Sequence, residues 1–128
     1  MSNTSLDGLV LVIYNGSDDL SDKAYDLDGY STNANGYFVM GQSIVNNVDY
    51  IVSTSFIQNG PDAIALYSGN TADFPEGTTL TINNLIDALV YDTDDADDEG
   101  LLPLLIAGQP QINEAGNGNS ERHSIQRI

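Results

Sequence analysis

The chain has 128 residues, which is the length of one domain with a hydrophobic core. Nineteen Asp and Glu residues stand against three Lys and Arg residues, so the formal net charge is -16 at pH 7. Clustered Lys and Arg bind nucleic-acid phosphates and anionic lipids, so this charge argues against nucleic-acid binding by this domain and against docking on anionic membranes. The absence of cysteine excludes disulfides, zinc–thiolate sites and thiol nucleophiles.

No targeting or membrane-spanning segment is visible in the sequence. The residues Met1–Ser5 are polar and uncharged, without the basic and apolar regions of a signal peptide. The longest nearly unbroken apolar run, Leu101–Ala107, is too short to cross a bilayer. We therefore predict no membrane span.

Short apolar or β-rich runs, separated by turn residues, recur along the chain and predict β-strands. The runs are Leu9–Tyr14, Ala24–Leu27, Tyr37–Met40, Val48–Val52, Ala63–Tyr67, Leu85–Tyr91 and Ser124–Ile128. The dipeptide Asn-Gly, which permits positive φ and a tight reversal, begins at positions 15, 35, 59 and 117. Strands spaced by roughly 10–14 residues with such turns predict an all-β, antiparallel β-sandwich.

One short helix is predicted near residues 98–106. Asp98 can cap its start, and Pro103 falls in its first turn, where a missing N–H is harmless. Gly108 can end it. The polar residues 113–120 have the composition of a loop.

The densest chemical feature is the acidic stretch 92–99, which holds six carboxylates in eight residues. Three interpretations are open: a solvated acidic loop, a Ca²⁺ site, or an electrostatic contact for a basic partner. The candidate Ca²⁺ ligands are Asp92, Asp94, Asp95, Asp97 and Glu99.

The segment Asp95–Gly100 resembles the start of an EF-hand loop, with acidic residues at positions 1, 3 and 5 and glycine at position 6. Position 12 would be Ile106, so the bidentate glutamate is missing. Calcium takes about six to eight oxygens, and a different site built from loop carboxylates and carbonyls stays open. A second acidic turn is expected to be solvated; it contains Asp18, Asp19 and Asp22.

No catalytic constellation is found. His123 is the only histidine, and its neighbour Ser124 points to the opposite face if both lie in a strand. Paired carboxylates such as Asp94 and Asp97 could serve glycoside hydrolysis, but the chain has no Trp to line a sugar cleft. The seven tyrosines could form a stacking platform, although we expect them to fill the core and rim of the sandwich.

Four segments resemble, in order, strands of lamin-tail-type domains. They are Leu6–Gly16, similar to L-S/D-G-W-x-L-V-L-Y-N-G, Phe56–Tyr67, similar to L-Q-N-G-x-D-x-h-A-L-Y, Leu85–Asp92, similar to V-D-x-h-x-Y, and Ser124–Ile128, similar to the closing S-L-Q-R. The resemblance implies an immunoglobulin-like β-sandwich of the kind found in secreted or surface bacterial proteins. It carries no catalytic residues over to this chain.

The family's two opening strands are not found before Leu6. We therefore expect a single lamin-tail-like domain over residues 1–128 that belongs to a longer protein and leaves a β-edge open. The expected function is a non-catalytic extracellular interaction module for a protein or surface partner. The alternative is a Ca²⁺-stabilised structural domain that uses the acidic loop. The open edge also predicts a homo-oligomer through β-edge pairing.

Overall fold

The computed structural model describes residues 1–114, and β-strands dominate this part of the chain. The strands are β1 (Leu9–Asn15), β2 (Leu20–Asp26), β3 (Met40–Gly41), β4 (Tyr50–Ile51), β5 (Asp62–Ser68), β6 (Leu85–Asp92) and β7 (Ile112–Asn113). The helical elements among residues 1–114 are two 3-10 turns, at Thr71–Asp73 and Leu102–Leu104. The prediction of a mostly β chain is confirmed.

Five strands form one mixed sheet in the order β2-β1-β5-β6-β7. The pairs β1–β2, β1–β5 and β5–β6 are antiparallel, whereas β6–β7 is parallel. The strands β3 and β4 form a separate parallel pair of two residues each. The architecture is therefore one five-stranded sheet with a small second sheet, and it is not clearly a sandwich.

One face of the large sheet carries the hydrophobic core, because alternate side chains of a strand point to the same face. In β1, the side chains of Val10, Val12 and Tyr14 are fully buried. They lie opposite buried residues of β5 in the antiparallel register. The remaining core residues come from β6 and from segments outside the sheet: Ala88, Val90, Phe74, Leu101 and Leu104.

The opposite face of the sheet is also apolar. Ile13 and Tyr91 are buried there, whereas Leu11, Ile64 and Leu66 are only half-buried. An aromatic cluster lies over the part of this face next to Leu9 and Leu11. Its rings have centroids 5.1–5.9 Å apart and come from Tyr25, Tyr30, Phe38, Tyr50 and Phe56. Three of the tyrosines thus pack on other rings in this cluster, Tyr67 packs on Phe74 in the core, and Tyr37 remains mostly exposed.

The predicted helix at 98–106 is reduced to the turn Leu102–Leu104. The N–H groups of Leu101 and Leu102 both bond to the Asp98 carbonyl, and Leu105 is already extended. Pro103 allows the first turn, but packing decides its length, because the tight turn directs Leu101 and Leu104 into the core. The predicted strand 124–128 lies outside the described residues.

Candidate functional site

The strand β2 forms one outer edge of the five-stranded sheet. The Leu27 N–H donates to the Leu9 carbonyl at 3.1 Å, which fixes the alternation of hydrogen bonds along the β1–β2 ladder. Odd-numbered residues of β2 from position 23 therefore bond to β1. Ala24 and Asp26 lie in the non-bonded pairs and turn their N–H and C=O groups outward.

Among the described residues, the backbone contacts to the outer side of β2 involve only its first residues. The Ser21 N–H donates to the Thr78 carbonyl at 2.9 Å, and the Gly77 N–H donates to the Ser21 carbonyl at 2.8 Å. No backbone hydrogen bond within residues 1–114 reaches the outer side of the segment 22–26. We call this segment the open edge.

The open edge is charged and irregular. Lys23 Nζ lies 3.3 Å from Asp22 Oδ2, and Asp26 is exposed at the other end. The register with β1 shifts at Asp22, which is a β-bulge. Charges and bulges on an edge strand oppose indiscriminate pairing with other sheets.

The half-buried sheet face holds an apolar groove of about 440 Å³. The main groove-lining residues are Leu11, Ile64, Leu66, Asp87, Leu105 and Ile112. A neighbouring cavity of about 360 Å³, under the aromatic cluster, shares three of them. The two cavities together cross the sheet face, and the larger one falls within the roughly 300–1,000 Å³ typical of ligand-binding clefts.

The structure separates Asp92 from the other predicted calcium ligands. Its side chain is fully buried, and its carboxylate accepts the N–H groups of Thr93 and Asp95, the latter at 2.6 Å. The remaining four carboxylates are solvent-exposed: Asp94, Asp95, Asp97 and Glu99. No group of three metal-ligating side chains with the placement of a metal site occurs within residues 1–114.

Asp98 fixes the far end of the acidic loop. Its carboxylate accepts the Gly100 N–H at 2.9 Å, and its own N–H donates to Gln111 Oε1 at 2.8 Å. Gln111 is buried next to β7. The loop is thus held at both ends by hydrogen bonds of its own acidic residues.

The second acidic turn is not fully solvated, contrary to the expectation for Asp19. The Asp19 side chain is half-buried, and its Oδ1 is buried without a hydrogen-bond partner among the described residues. Burial, followed by the charge of Asp98, raises the pKa of the Asp19 carboxyl. Sequence reasoning missed this pair because the two residues are far apart in the chain and only the fold brings the turn and the loop together.

The polar groups buried in the sheet form hydrogen bonds that hold neighbouring elements together. Tyr91 Oη donates to Asp62 Oδ2 at 3.5 Å, and the Gly16 N–H donates to Asp62 Oδ1 at 3.2 Å. Burial raises the pKa of the Asp62 carboxyl. These contacts tie the β1–β2 turn to β5 and β6. The only histidine of the sequence, His123, and its neighbour Ser124 lie outside the described residues.

No family model, curated protein or solved structure matches the chain. The resemblance to lamin-tail-type domains stays a prediction. Within residues 1–114, no helix has the length and apolar character needed to cross a membrane.

Proposed function

We propose that the chain is a non-catalytic interaction module that binds a partner strand along the open edge of β2. The observation that carries this proposal is the outward backbone of Ala24 and Asp26, which has no partner in the described part of the chain. A strand laid beside an edge supplies backbone hydrogen bonds, and its alternate side chains supply specificity.

The charge of the edge defines the partner. Asp22 and Asp26 flank Ala24 on a chain with a net charge of -16, so a partner strand with basic residues at alternate positions fits best. Opposite charges across a strand pair contribute about 0.2–1 kcal/mol each, and like charges directly opposite destabilise the pair. The partner we propose is therefore a protein segment with cationic side chains.

A second copy of the chain is a weaker partner. Antiparallel pairing about Ala24 aligns the whole open edge, but it sets Asp22 of one copy against Asp26 of the other. Salt screens this repulsion, because the Debye length is about 8 Å at physiological ionic strength. A homo-oligomer through β-edge pairing is thus promoted by salt.

We also propose the finer assignment that the sequence suggests: an immunoglobulin-like, lamin-tail-type β-sandwich within a longer extracellular or cell-surface protein. The small β3–β4 sheet and the aromatic cluster support it, because they lie on the face where a second sheet would pack. The acidity suits a saline or calcium-rich setting.

A Ca²⁺-stabilised structural domain is the second proposal. It is favoured by the anchoring of the acidic loop, since Asp92 and Asp98 fix both ends of a short loop that carries four exposed carboxylates. Those carboxylates belong to Asp94, Asp95, Asp97 and Glu99.

The first proposal is tested with two capped, fluorescently labelled peptides in which valine alternates with lysine or with glutamate. The chain should raise the anisotropy of the lysine peptide and not that of the glutamate peptide. Asp26→Lys should reverse this preference, whereas Asp94→Lys, which changes the net charge equally on a distant loop, should keep it. Equal binding of both peptides would mean that the charge of the edge does not select the partner. Equal effects of the two variants would mean that only net charge is sensed.

A further inference from the structure

The cavity under the aromatic cluster lies between the five-stranded sheet and the segment 38–57. Its volume is about 360 Å³, and every residue that lines it is Leu, Ile, Met or Phe. The strands β1 and β5 contribute several of these side chains, and the segment 38–57 contributes Phe38, Met40 and Phe56. Water gains little in a cavity without polar side chains, so an apolar molecule fits this space better.

The segment 38–57, which we call the flap, is bonded only to itself. The Asp49 N–H donates to the Val39 carbonyl at 2.8 Å, and the Val52 N–H donates to the Gly41 carbonyl at 2.9 Å. In the described part of the chain, every hydrogen bond of the flap joins two flap residues. No hydrogen bond among these residues therefore fixes the flap to the large sheet.

Aromatic rings hold the flap in place instead. The ring centroid of Tyr50 lies 5.9 Å from that of Tyr25 in β2 and 5.1 Å from that of Tyr30. Phe56 packs on Tyr25 and Phe38 packs on Tyr30, each at 5.4 Å. Regions held by few hydrogen bonds and few buried contacts open at low cost. The flap can thus lift from the sheet without breaking a hydrogen bond among the described residues.

We infer that the cavity under the flap is a binding site for a small, neutral, apolar molecule, and that the flap is its lid. An apolar cavity of about 150 Å³ is enough for benzene, so this larger one has room for two fused rings. A charged ligand would find no opposite charge on the lining residues. A peptide or a sugar would bury polar groups without partners.

This inference is independent of the proposed function, because no residue of the open edge lines the cavity. A hydrophobic ligand under the flap and a basic strand along β2 use different surfaces. Failure of either proposal therefore leaves the other standing.

Naphthalene is a suitable probe, since it is neutral, apolar and made of two fused rings. Titration should shift the methyl resonances of Leu9 and Met40 to saturation and leave that of the exposed Ile86 in place. Naphthoate and naphthylmethylammonium, which carry a negative and a positive charge on the same rings, should bind about tenfold or more weakly. Unshifted cavity methyls, or equal binding of a charged analogue, would overturn the inference.

Two matched variants locate the probe. Leu9→Phe fills part of the cavity and should weaken naphthalene binding by about tenfold. Leu89→Phe, the same change at a half-buried strand position that lines only the neighbouring groove, should keep the affinity. Met40→Phe adds bulk from the flap and replaces Leu9→Phe if amide spectra show that variant to be unfolded. Equal affinities of the folded variants would place the probe outside the cavity and contradict the inference.

The role of the flap is tested through the rate of ligand release. Tyr30→Leu removes a ring that contacts Phe38 and Tyr50 but does not line the cavity, so naphthalene should leave several-fold faster. Tyr37→Leu is the control, because Tyr37 is exposed and makes no ring contact among the described residues. Exchange measurements by methyl line shape give both rates. Equal release from the two variants would contradict the flap as a lid.

Discussion

Tyr14 and Tyr67 place their phenol oxygens 3.0 Å apart inside the hydrophobic core. Tyr67 Oη also donates to the Thr81 carbonyl at 2.8 Å, so the pair connects β1 and β5 to the segment that precedes β6. Both side chains are fully buried. The two phenol hydroxyls can therefore be buried in the core, because they form a hydrogen bond with each other there.

The phenol pair predicts coupled effects of mutation. Tyr67→Phe should reduce the free energy of unfolding by about 1–3 kcal/mol, because the Thr81 carbonyl and the Tyr14 hydroxyl lose a partner in the core. Tyr14→Phe removes one hydrogen bond and should reduce the free energy of unfolding by about 1 kcal/mol. Urea denaturation should show that the double variant loses less free energy of unfolding than the two single variants lose together. Additive losses would show that the two hydroxyls act independently.

The same pair predicts an alkaline limit to stability. Burial raises the pKa of Tyr67 well above its ordinary value of 10.0. The Tyr67 hydroxyl ionises at a lower pH in the unfolded chain than in the folded chain. The stabilisation that the neutral hydroxyl provides is therefore complete below about pH 10 and is lost as the pH rises further. The melting temperature should fall less steeply above pH 10 in Tyr67→Phe than in the unaltered chain.

Asp19 should destabilise the folded chain at neutral pH. Its raised pKa means that its stabilising, protonated form is populated at low pH and is lost as the pH rises through the folded-state pKa. Asp19→Asn should therefore raise the melting temperature at pH 7 by a few degrees, and the gain should shrink below about pH 4. Asparagine also tolerates the φ of 59° at this position.

Asp18→Asn is the control for this prediction. Asp18 is exposed, and its Oδ1 accepts the Leu20 N–H at 3.1 Å, a bond that asparagine can keep. The control variant should melt like the unaltered chain at both pH values. A lower melting temperature for Asp19→Asn would show that its carboxylate stabilises the turn.

The parts of the fold that the sequence predicts best are the strands with continuous apolar runs. β1, β5 and β6 match Leu9–Tyr14, Ala63–Tyr67 and Leu85–Tyr91 to within one residue at each end. Each run is stopped by residues that favour turns, so local chemistry alone marks its ends.

The polar and short elements could not be placed in this way. β2 begins at Leu20, earlier than the predicted Ala24, because hydrogen bonds to β1 align a polar segment that has no apolar pattern. β7 is two residues long and depends on its pairing with β6. The position of the open edge likewise follows from strand order, which a single sequence does not contain.

Calcium provides a test of the second proposal. If the loop carboxylates bind Ca²⁺, millimolar calcium should raise the melting temperature above that in EDTA, with about 2.7 kcal/mol of stabilisation at a hundredfold excess over Kd. Mg²⁺ at the same concentration should do less, because it dehydrates reluctantly. Superimposable melting curves in Ca²⁺, Mg²⁺ and EDTA at matched ionic strength would end this proposal.

Self-association should depend on salt. Light scattering across protein concentration should show mostly monomer at low ionic strength and more dimer at physiological salt, since screening weakens the repulsion between Asp22 and Asp26 of the two copies. Asp26→Asn should form the dimer at lower protein concentration. A strict monomer for both chains at high concentration in physiological salt would rule out pairing of this edge with itself.

The most direct test of the central claim is the amide spectrum of the chain during titration with the valine–lysine peptide. The account predicts that the amide resonances of Ala24 and Asp26 shift and exchange more slowly with solvent, because their outward N–H groups gain acceptors. Tyr25, whose N–H already faces β1, should keep its exchange rate. Shifts that avoid β2, or protection that appears equally with the valine–glutamate peptide, would contradict recognition of a basic strand by this edge.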